Sequence, residues 1–192
     1  MEAMLALANK GTALPDDAPK ELKEELADLK DALDMKSCNC LNYDTAYDFR
    51  SVLEGRKECI IRSDCDEQLL LTVAFSSTTK VYSVKFGADR VSSGPKTVKL
   101  FINKPNMDFS DGESLAPVQV LNLSAEDLEP DSPAIKLRFV SFQNVDTLTF
   151  FFVDNQEGED ITSLNKLTIT GVSRHKAEIS NIQKGDPNEE AP

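Results

Sequence analysis

Ser63-Asp64-Cys65-Asp66-Glu67-Gln68-Leu69-Leu70-Leu71-Thr72-Val73-Ala74-Phe75 runs from an acidic loop straight into an apolar segment, with no Gly or Pro between the two. Leu69, Leu71, Val73 and Phe75 fall on alternate positions. That is the period at which the side chains of a strand return to one face of a sheet. The acidic half sets Asp64, Asp66 and Glu67 around Cys65. Polar groups joined to a core strand without a flexible residue are held in a fixed place. The expectation is that Asp64, Asp66 and Gln68 hold the loop through hydrogen bonds to backbone groups.

The same period-two texture continues downstream. Tyr82, Val84 and Phe86 share a face, as do Val98, Leu100 and Ile102, then Ile135, Leu137 and Phe139. Leu148, Phe150 and Phe152 follow, then Leu167 and Ile169. The apolar run at 118–123 switches face at Val120–Leu121, which predicts a bulge. Turns are marked by Gly87, Gly94-Pro95, Pro105, Gly112, Pro130, Pro133, Gly158 and Gly171. One short helical turn is expected at Ser124-Ala125-Glu126-Asp127, where a capping residue precedes two acids. About eight short strands with turn-rich spacing and little helix describe an all-β jelly-roll sandwich. Alternating strands and long helices, the mark of an α/β fold, are absent.

Upstream of residue 38 the texture differs. Residues 1–17 read as a loose leader broken by Gly11, Pro15, Asp16 and Asp17. Residues 18–37 read as an amphipathic α-helix with Pro19 in its first turn and Leu22, Leu26, Leu29 and Leu33 in one stripe. A lone helix of this length is marginal in water, so the stripe is expected to dock, either on its own domain or on a partner helix. The sandwich is assigned residues 38–175, and 176–192 form a mobile acidic tail.

Charge and cysteine usage narrow the function. The 192 residues carry 21 Lys and Arg against 33 Asp and Glu, a formal net charge of −12. That balance opposes a nucleic-acid backbone or an anionic membrane as partner. No apolar run approaches the roughly 18 residues that span a bilayer, and Met1 to Lys10 lacks the features of a signal peptide. The reading is a soluble intracellular protein. Cys38, Cys40, Cys59 and Cys65 are then expected as free thiols. Cys38-Asn39-Cys40 is not the C-x-x-C of a redox site, and a zinc site would have to gather ligands from separated strands.

Catalytic patterns are missing. The single histidine, His175, has no G-x-S-x-G to serve, and no glycine-rich turn precedes Lys-Ser or Lys-Thr. Asp64, Asp66 and Glu67 lack the loop glycine and distal glutamate of an EF-hand. The expectation is a protein that is not an enzyme, with no metal and no cofactor.

Several ordered motifs carry a family resemblance. Ser63-Asp64-Cys65-Asp66-Glu67-Gln68-Leu69-Leu70 resembles the signature of the PITH domain, the proteasome-interacting domain at the C-terminus of a thioredoxin-like protein. Further similar stretches are Cys38-Asn39-Cys40-Leu41-Asn42, Val98-Lys99-Leu100-Phe101-Ile102-Asn103 and Met107-Asp108-Phe109. So are Phe139-Val140-Ser141-Phe142-Gln143-Asn144-Val145 and Asn155-Gln156-Glu157-Gly158. The resemblance implies a jelly-roll sandwich similar to galactose-binding domains and to the substrate-recruiting subunit of the anaphase-promoting complex. It implies a structural signature made of Ser63, Asp64, Cys65, Asp66, Glu67, Gln68, Asn103, Phe142, Gln143, Asn144, Asn155 and Gln156. It also implies non-catalytic binding to the proteasome regulatory particle, in the cytoplasm and the nucleus. The chain has no Trp and no Trp-Cys-Gly-Pro-Cys site, and 37 residues are too few for a thioredoxin fold. A stand-alone, monomeric member without reductase activity is therefore expected.

Partner contacts are expected on the long connection at 103–117, where Met107 and Phe109 stand among Asp108, Asp111 and Glu113. Two large apolar side chains in a loop either plug their own sandwich or anchor a partner, and the acids would steer a basic one. The alternative function is a module for a small polar ligand or carbohydrate. Without Trp, its stacking platform would have to come from Phe109, Phe142 or Tyr82.

Overall fold

In the computed structural model, which describes residues 26–173, the opening stretch becomes the first part of one strand of 19 residues, Leu69–Gly87. In chain order the strands are β1 (Ala27–Asp28), β2 (Asn39–Leu41), β3 (Ile61–Arg62), β4 (Leu69–Gly87) and β5 (Thr97–Ile102). They continue with β6 (Gln119–Asn122), β7 (Ile135–Lys136), β8 (Val145–Phe152), β9 (Ser163–Leu164) and β10 (Lys166–Ser173). Two short helices, α1 (Phe49–Leu53) and α2 (Phe109–Ser114), and several 3-10 turns join them.

β4 belongs to both layers of the sandwich. Its first half pairs antiparallel with β2 and β8, and β8 leads on to β5 and β6. Its second half pairs with β10 and β7, and β10 carries β1. The hinge is a wide irregularity: Ala74 faces Thr147 and Thr79 faces Val145, so residues 75–78 stand against residue 146 alone. Beyond it the strand returns over itself. Phe86 packs edge-on against Phe150 and Phe152, at 6.0 and 6.1 Å, and those two residues pair with Leu71 and Leu69 near the start of the same strand.

The core lies between the layers. Leu69, Leu71, Val73 and Phe75 all enter it, with Val98, Leu100, Leu148, Phe150, Phe152, Leu167 and Ile169. Each large side chain withdrawn from water there contributes ~1.5–3 kcal/mol before the entropy of ordering is set against it. A second, smaller cluster of Leu70, Phe101, Met107 and Phe151 sits on the opposite, outer face of the first layer.

Four expectations are corrected. Residues 26–37 are not α-helical: they form β1, a 3-10 turn at Lys30–Ala32 and a bridge from Leu33 to Phe75. The edges of β10 and β4 supply backbone partners, Ile169 O to Leu29 N–H and Ala74 O to Asp34 N–H, both at 2.9 Å. Those long-range bonds outweigh the weak preference of an isolated helix. A Cβ at Gly171 would lie 2.0 Å from Lys80 O and 2.9 Å from Leu29 Cδ1, so only glycine lets β1 and β4 close on β10 here.

No bulge occurs at Val120–Leu121, because β6 pairs with β5 in unbroken register. Val120 faces outward while Leu121 and Leu123 are buried. Tyr82 leaves the face of Val84 and Phe86: the β10 register slips at Thr170/Gly171, opposite Ser83 and Val81, so Val81 enters the core instead. Finally, the Ser124 capping box does start a turn, Ala125–Leu128, but α1, α2 and the turns at Val91–Ser93 and Phe139–Phe142 join it. The leader, residues 18–25, His175 and the tail lie outside the described residues.

Candidate functional site

At one end of the sandwich the acidic loop is clasped by a residue from the neighbouring strand. Asn42 follows β2 with φ of 60°, a left-handed conformation that asparagine tolerates better than most residues. From there its amide nitrogen donates to Asp66 Oδ1 and to Gln68 O, both at 2.7 Å, and its amide oxygen accepts the Cys65 N–H at 3.0 Å. Asp66 Oδ1 also accepts the Gln68 N–H at 3.0 Å, and Asn42 O accepts the Asp64 N–H. Asp66 thus ties the loop through its carboxylate, whereas Gln68 takes part through its backbone N–H and C=O. The Asp64 carboxylate does less, facing only the Cys65 thiol at 3.7 Å.

The same end gathers Ser63, Asn155 and Gln156. Buried Ser63 exchanges bonds with Thr162: its Oγ accepts the Thr162 N–H, and its own N–H donates to Thr162 O, both at 2.9 Å. Asn155 closes the loop after β8, donating to Glu159 O at 2.7 Å and accepting the Glu159 N–H at 2.8 Å. Gln156 donates to Pro95 O and Leu123 O, each at 2.9 Å. Asp64, Cys65 and Asp66 remain exposed and Glu67 half-buried, leaving an acidic surface over a hydrogen-bonded frame.

The remaining signature residues lie at the other end. Asn103, with φ of 56°, accepts the Asp146 N–H at 2.9 Å and donates to Asn144 O at 3.0 Å. Gln143 donates to Phe139 O at 2.8 Å, and Phe142 is fully buried. The fold therefore distributes the signature over two ends as loop ties.

The residues expected to meet a partner lie in neither place. Met107 is buried and Phe109 half-buried on the outer face of the first layer, with the Phe109 ring edge-on to Phe151 at 6.0 Å. Asp108 caps α2 in a reciprocal box with Asp111, accepting its N–H at 2.9 Å. The bonds from Asp111 N–H and the Ser110 hydroxyl hold the Asp108 carboxyl below its ordinary value. Lys99 donates to Gly112 O at 3.1 Å with its ammonium 5.5 Å from the Phe151 ring centre. Glu113 is exposed. This segment is a cover with an acidic rim. The rings named for a sugar platform are engaged elsewhere: Phe142 in the core and Tyr82 against Phe139 at 5.5 Å.

The thiols stay protonated at neutral pH. Burial pushes Cys40 up to about 12 and raises Cys38 and Cys59, while the Asp64 charge raises Cys65. Cys38 instead serves the β4 irregularity, accepting the Ala74 N–H at 3.4 Å and donating to Asp34 O at 3.3 Å. Among the described residues, no three His, Cys, Asp or Glu side chains converge as a metal site. Nor is any helix there long and apolar enough to cross a membrane.

The roles of Asn42, Thr162 and Gly112 escape a reading of local pattern. A Cβ on Gly112 would meet Phe151 Cδ1 at 2.7 Å, a contact set by tertiary packing alone. For Asn42 the available signal was an asparagine ending an alternating segment, a residue type suited to left-handed turns.

A family model described as the PITH domain matches residues 19–187. Thioredoxin-like protein 1 of Schizosaccharomyces pombe is 32% identical over 161 residues, 82% of this chain and 56% of that protein. A PITH domain-containing protein of Drosophila melanogaster is 30% identical over 144 residues, 72% of this chain and 66% of that protein. The chain spans less than two thirds of the length of both relatives. Among solved structures, CBM32-3 from a family 31 glycoside hydrolase of Clostridium perfringens matches with a TM-score of 0.58 at 13% identity, covering 80% of this chain and 99% of that one. The family 32 CBM of C. perfringens NanJ, solved with galactose, gives 0.51 at 10% identity, covering 77% and 95%. Likeness at such identities shows the jelly-roll sandwich fold.

Proposed function

The chain belongs to the PITH domain family, and from that premise we propose that it is a non-catalytic protein-interaction module whose partner is the proteasome regulatory particle or another ubiquitin–proteasome component. The observation that carries the reading is the extent of the family match, residues 19–187. The site chemistry supports it. The side chains of Ser63, Asp66, Asn103, Gln143, Asn155 and Gln156 hold backbone groups, and the four thiols are raised away from the thiolate form that redox or nucleophilic chemistry needs. The chain contains no C-x-x-C, so the reductase chemistry of thioredoxin-like proteins is not part of the proposal. The module acts as a monomer, without cofactor, in cytoplasm and nucleus.

The test is direct binding of the intact chain to purified 26S proteasome and to isolated regulatory particle, followed by surface plasmon resonance. Saturable binding that weakens with salt is expected, because a net charge of −12 favours a basic docking surface. No saturable binding to either particle at low salt overturns the proteasome assignment. Insulin reduction should show no turnover.

A further inference from the structure

Three large apolar side chains are exposed among the described residues: Leu115 at 38%, Val120 at 43% and Val140 at 87%. The fold gathers them around one short strand. Val120 lies on β6 and faces Lys99 across the pair with β5. Leu115 caps the C-terminus of α2, whose Gly112 carbonyl that same Lys99 holds. Val140 rides on the turn Phe139–Phe142, and Arg138 at the start of that turn donates its N–H to Gln119 Oε1 at 2.8 Å.

β6 is also a free edge. Among the described residues it pairs with β5 alone. Leu123 N–H donates to Lys96 O, and Val153 N–H donates to Thr97 O. Backbone groups alternate sides along an antiparallel strand. Residues 96, 98 and 100 therefore turn towards β6, and 97, 99 and 101 towards β8. On β6, residues 119, 121 and 123 then face β5, while the N–H and C=O of Val120 and Asn122 point out of the sheet edge. No described residue pairs with them.

The other edge strands among the described residues are shorter, with three residues in β2 and two each in β3 and β9. β1 and β7 have two residues each, and beside β2 the Arg50 guanidinium donates to Cys38 O. β6, with four residues, has no charge, proline or bulge, the devices that usually blunt an edge.

We propose that the β6 edge receives an extended segment of a partner protein as an added strand, aliphatic at alternate positions and carrying Lys or Arg at its ends. This rests on the reading of the chain as an interaction module and names its surface. An extended backbone is the occupant that supplies a complementary row of N–H and C=O groups to Val120 and Asn122. Aliphatic side chains suit the fringe of Leu115, Val120 and Val140. Acids stand before β6, at Asp111 and Glu113, and after it, at Glu126, Asp127 and Glu129, which favours basic ends. A second copy is a poor occupant, because two chains of net charge −12 repel.

The experiment pans a phage-displayed library of random peptides on the intact chain and synthesises the most enriched one. Its affinity is read by fluorescence anisotropy, and backbone exchange of the chain by NMR. The expected peptide alternates aliphatic residues between basic ends, and slows exchange at Val120 and Asn122 by roughly tenfold or more. N-methylation at alternate peptide nitrogens should abolish binding in one register and spare the other. Val120→Pro removes an outward N–H at a position where an edge strand tolerates proline, and Val120→Lys adds a charge without touching the backbone. Each should weaken the peptide by roughly tenfold or more.

Failure to enrich a peptide, protection elsewhere, equal loss in both methylation registers, or unchanged affinity in both variants overturns the inference. A concentration-dependent dimer abolished by Val120→Pro also overturns it, in favour of self-pairing. Proteasome binding separates this from the functional reading. If the parent and Val120→Pro bind the proteasome equally, the edge inference fails and the module stands. If the parent does not bind it while the peptide protects Val120, the proteasome assignment fails and the edge stands.

Discussion

The two faces of the first layer are made by the same strands and covered in different ways. Its inner face, with Leu71, Leu100, Phe150 and Phe152, meets a second layer built in part by the return of β4 itself. Its outer face, with Leu70, Phe101 and Phe151, meets Met107 and the six-residue α2, which supplies Phe109 and the close approach of Gly112 to Phe151. Adjacent residues thus have unequal protection: Phe150 is locked among Phe86 and Phe152, whereas Phe151 lies under a cover fixed by a capping box and the Lys99 tether. Opening the inner face breaks the fold, but the outer cover has few bonds to lose and can open locally.

The sharpest way to break this comparison is to truncate both rings. Phe150→Ala should cost ~3–5 kcal/mol, because a cavity between two sheets cannot collapse. Phe151→Ala should cost less, about 2–3 kcal/mol, since α2 can settle towards the gap. Urea denaturation of the two variants checks this, and equal losses would show that the cover is as rigid as the core.

The double variant Met107→Ser with Phe109→Ser comes next, at roughly 2 kcal/mol, as a buried thioether and a half-buried ring are lost from the smaller cluster. Exchange protection should fall in α2 and at the outer-face strands while β10 keeps its own. An unchanged melting temperature with loss of proteasome binding would make these residues an anchor for the partner.

How much of this was legible follows from which interactions are local. The alternation of Leu69, Leu71, Val73 and Phe75 announced the inner face correctly, since strand period and burial coincide there. The outer cluster was written in the continuous runs Leu69-Leu70-Leu71 and Phe150-Phe151-Phe152, which mark strands covered on both faces. The stripe of Leu26, Leu29 and Leu33 misled because helical spacing does not reveal that sheet edges await the same backbone. Tyr82 misled because a register slip against β10 leaves no mark on β4. The fusion of the acidic loop to a strand implies a loop held in place, but its holder, Asn42, is more than 20 residues upstream and acts from a backbone conformation that its neighbours do not encode.

That loop extends the comparison, because the Asn42 clasp ends at Gln68, immediately before the first inner-face residue of β4. Asn42→Ala removes bonds to Cys65, Asp66 and Gln68, at an expected cost of ~1–3 kcal/mol. Asp64→Ala, whose carboxylate meets only a thiol, should stay within about 0.5 kcal/mol. A larger loss for Asp64 in thermal melts would show that the acidic side chains, and not the clasp, fix the loop.

The smallest effect separates the faces by pH. Bonds from the Asp111 N–H and the Ser110 hydroxyl favour the ionised Asp108, so its carboxyl titrates lower in the folded chain than in the unfolded one. The support it gives α2 is therefore complete above the unfolded value, about 3.9, and is lost as pH falls through the lower folded one. Protection factors for the α2 amides should decline below about pH 4 while those of β8 hold, because no titrating group faces Phe150 among its ring neighbours Phe86 and Phe152. Asp108→Asn keeps an acceptor for the Asp111 N–H without the proton equilibrium, so its α2 protection should start lower and stay flat across the same range. A parallel decline of α2 and β8 in the parent would mean that cover and core open as one unit, and the two faces would then differ only in size.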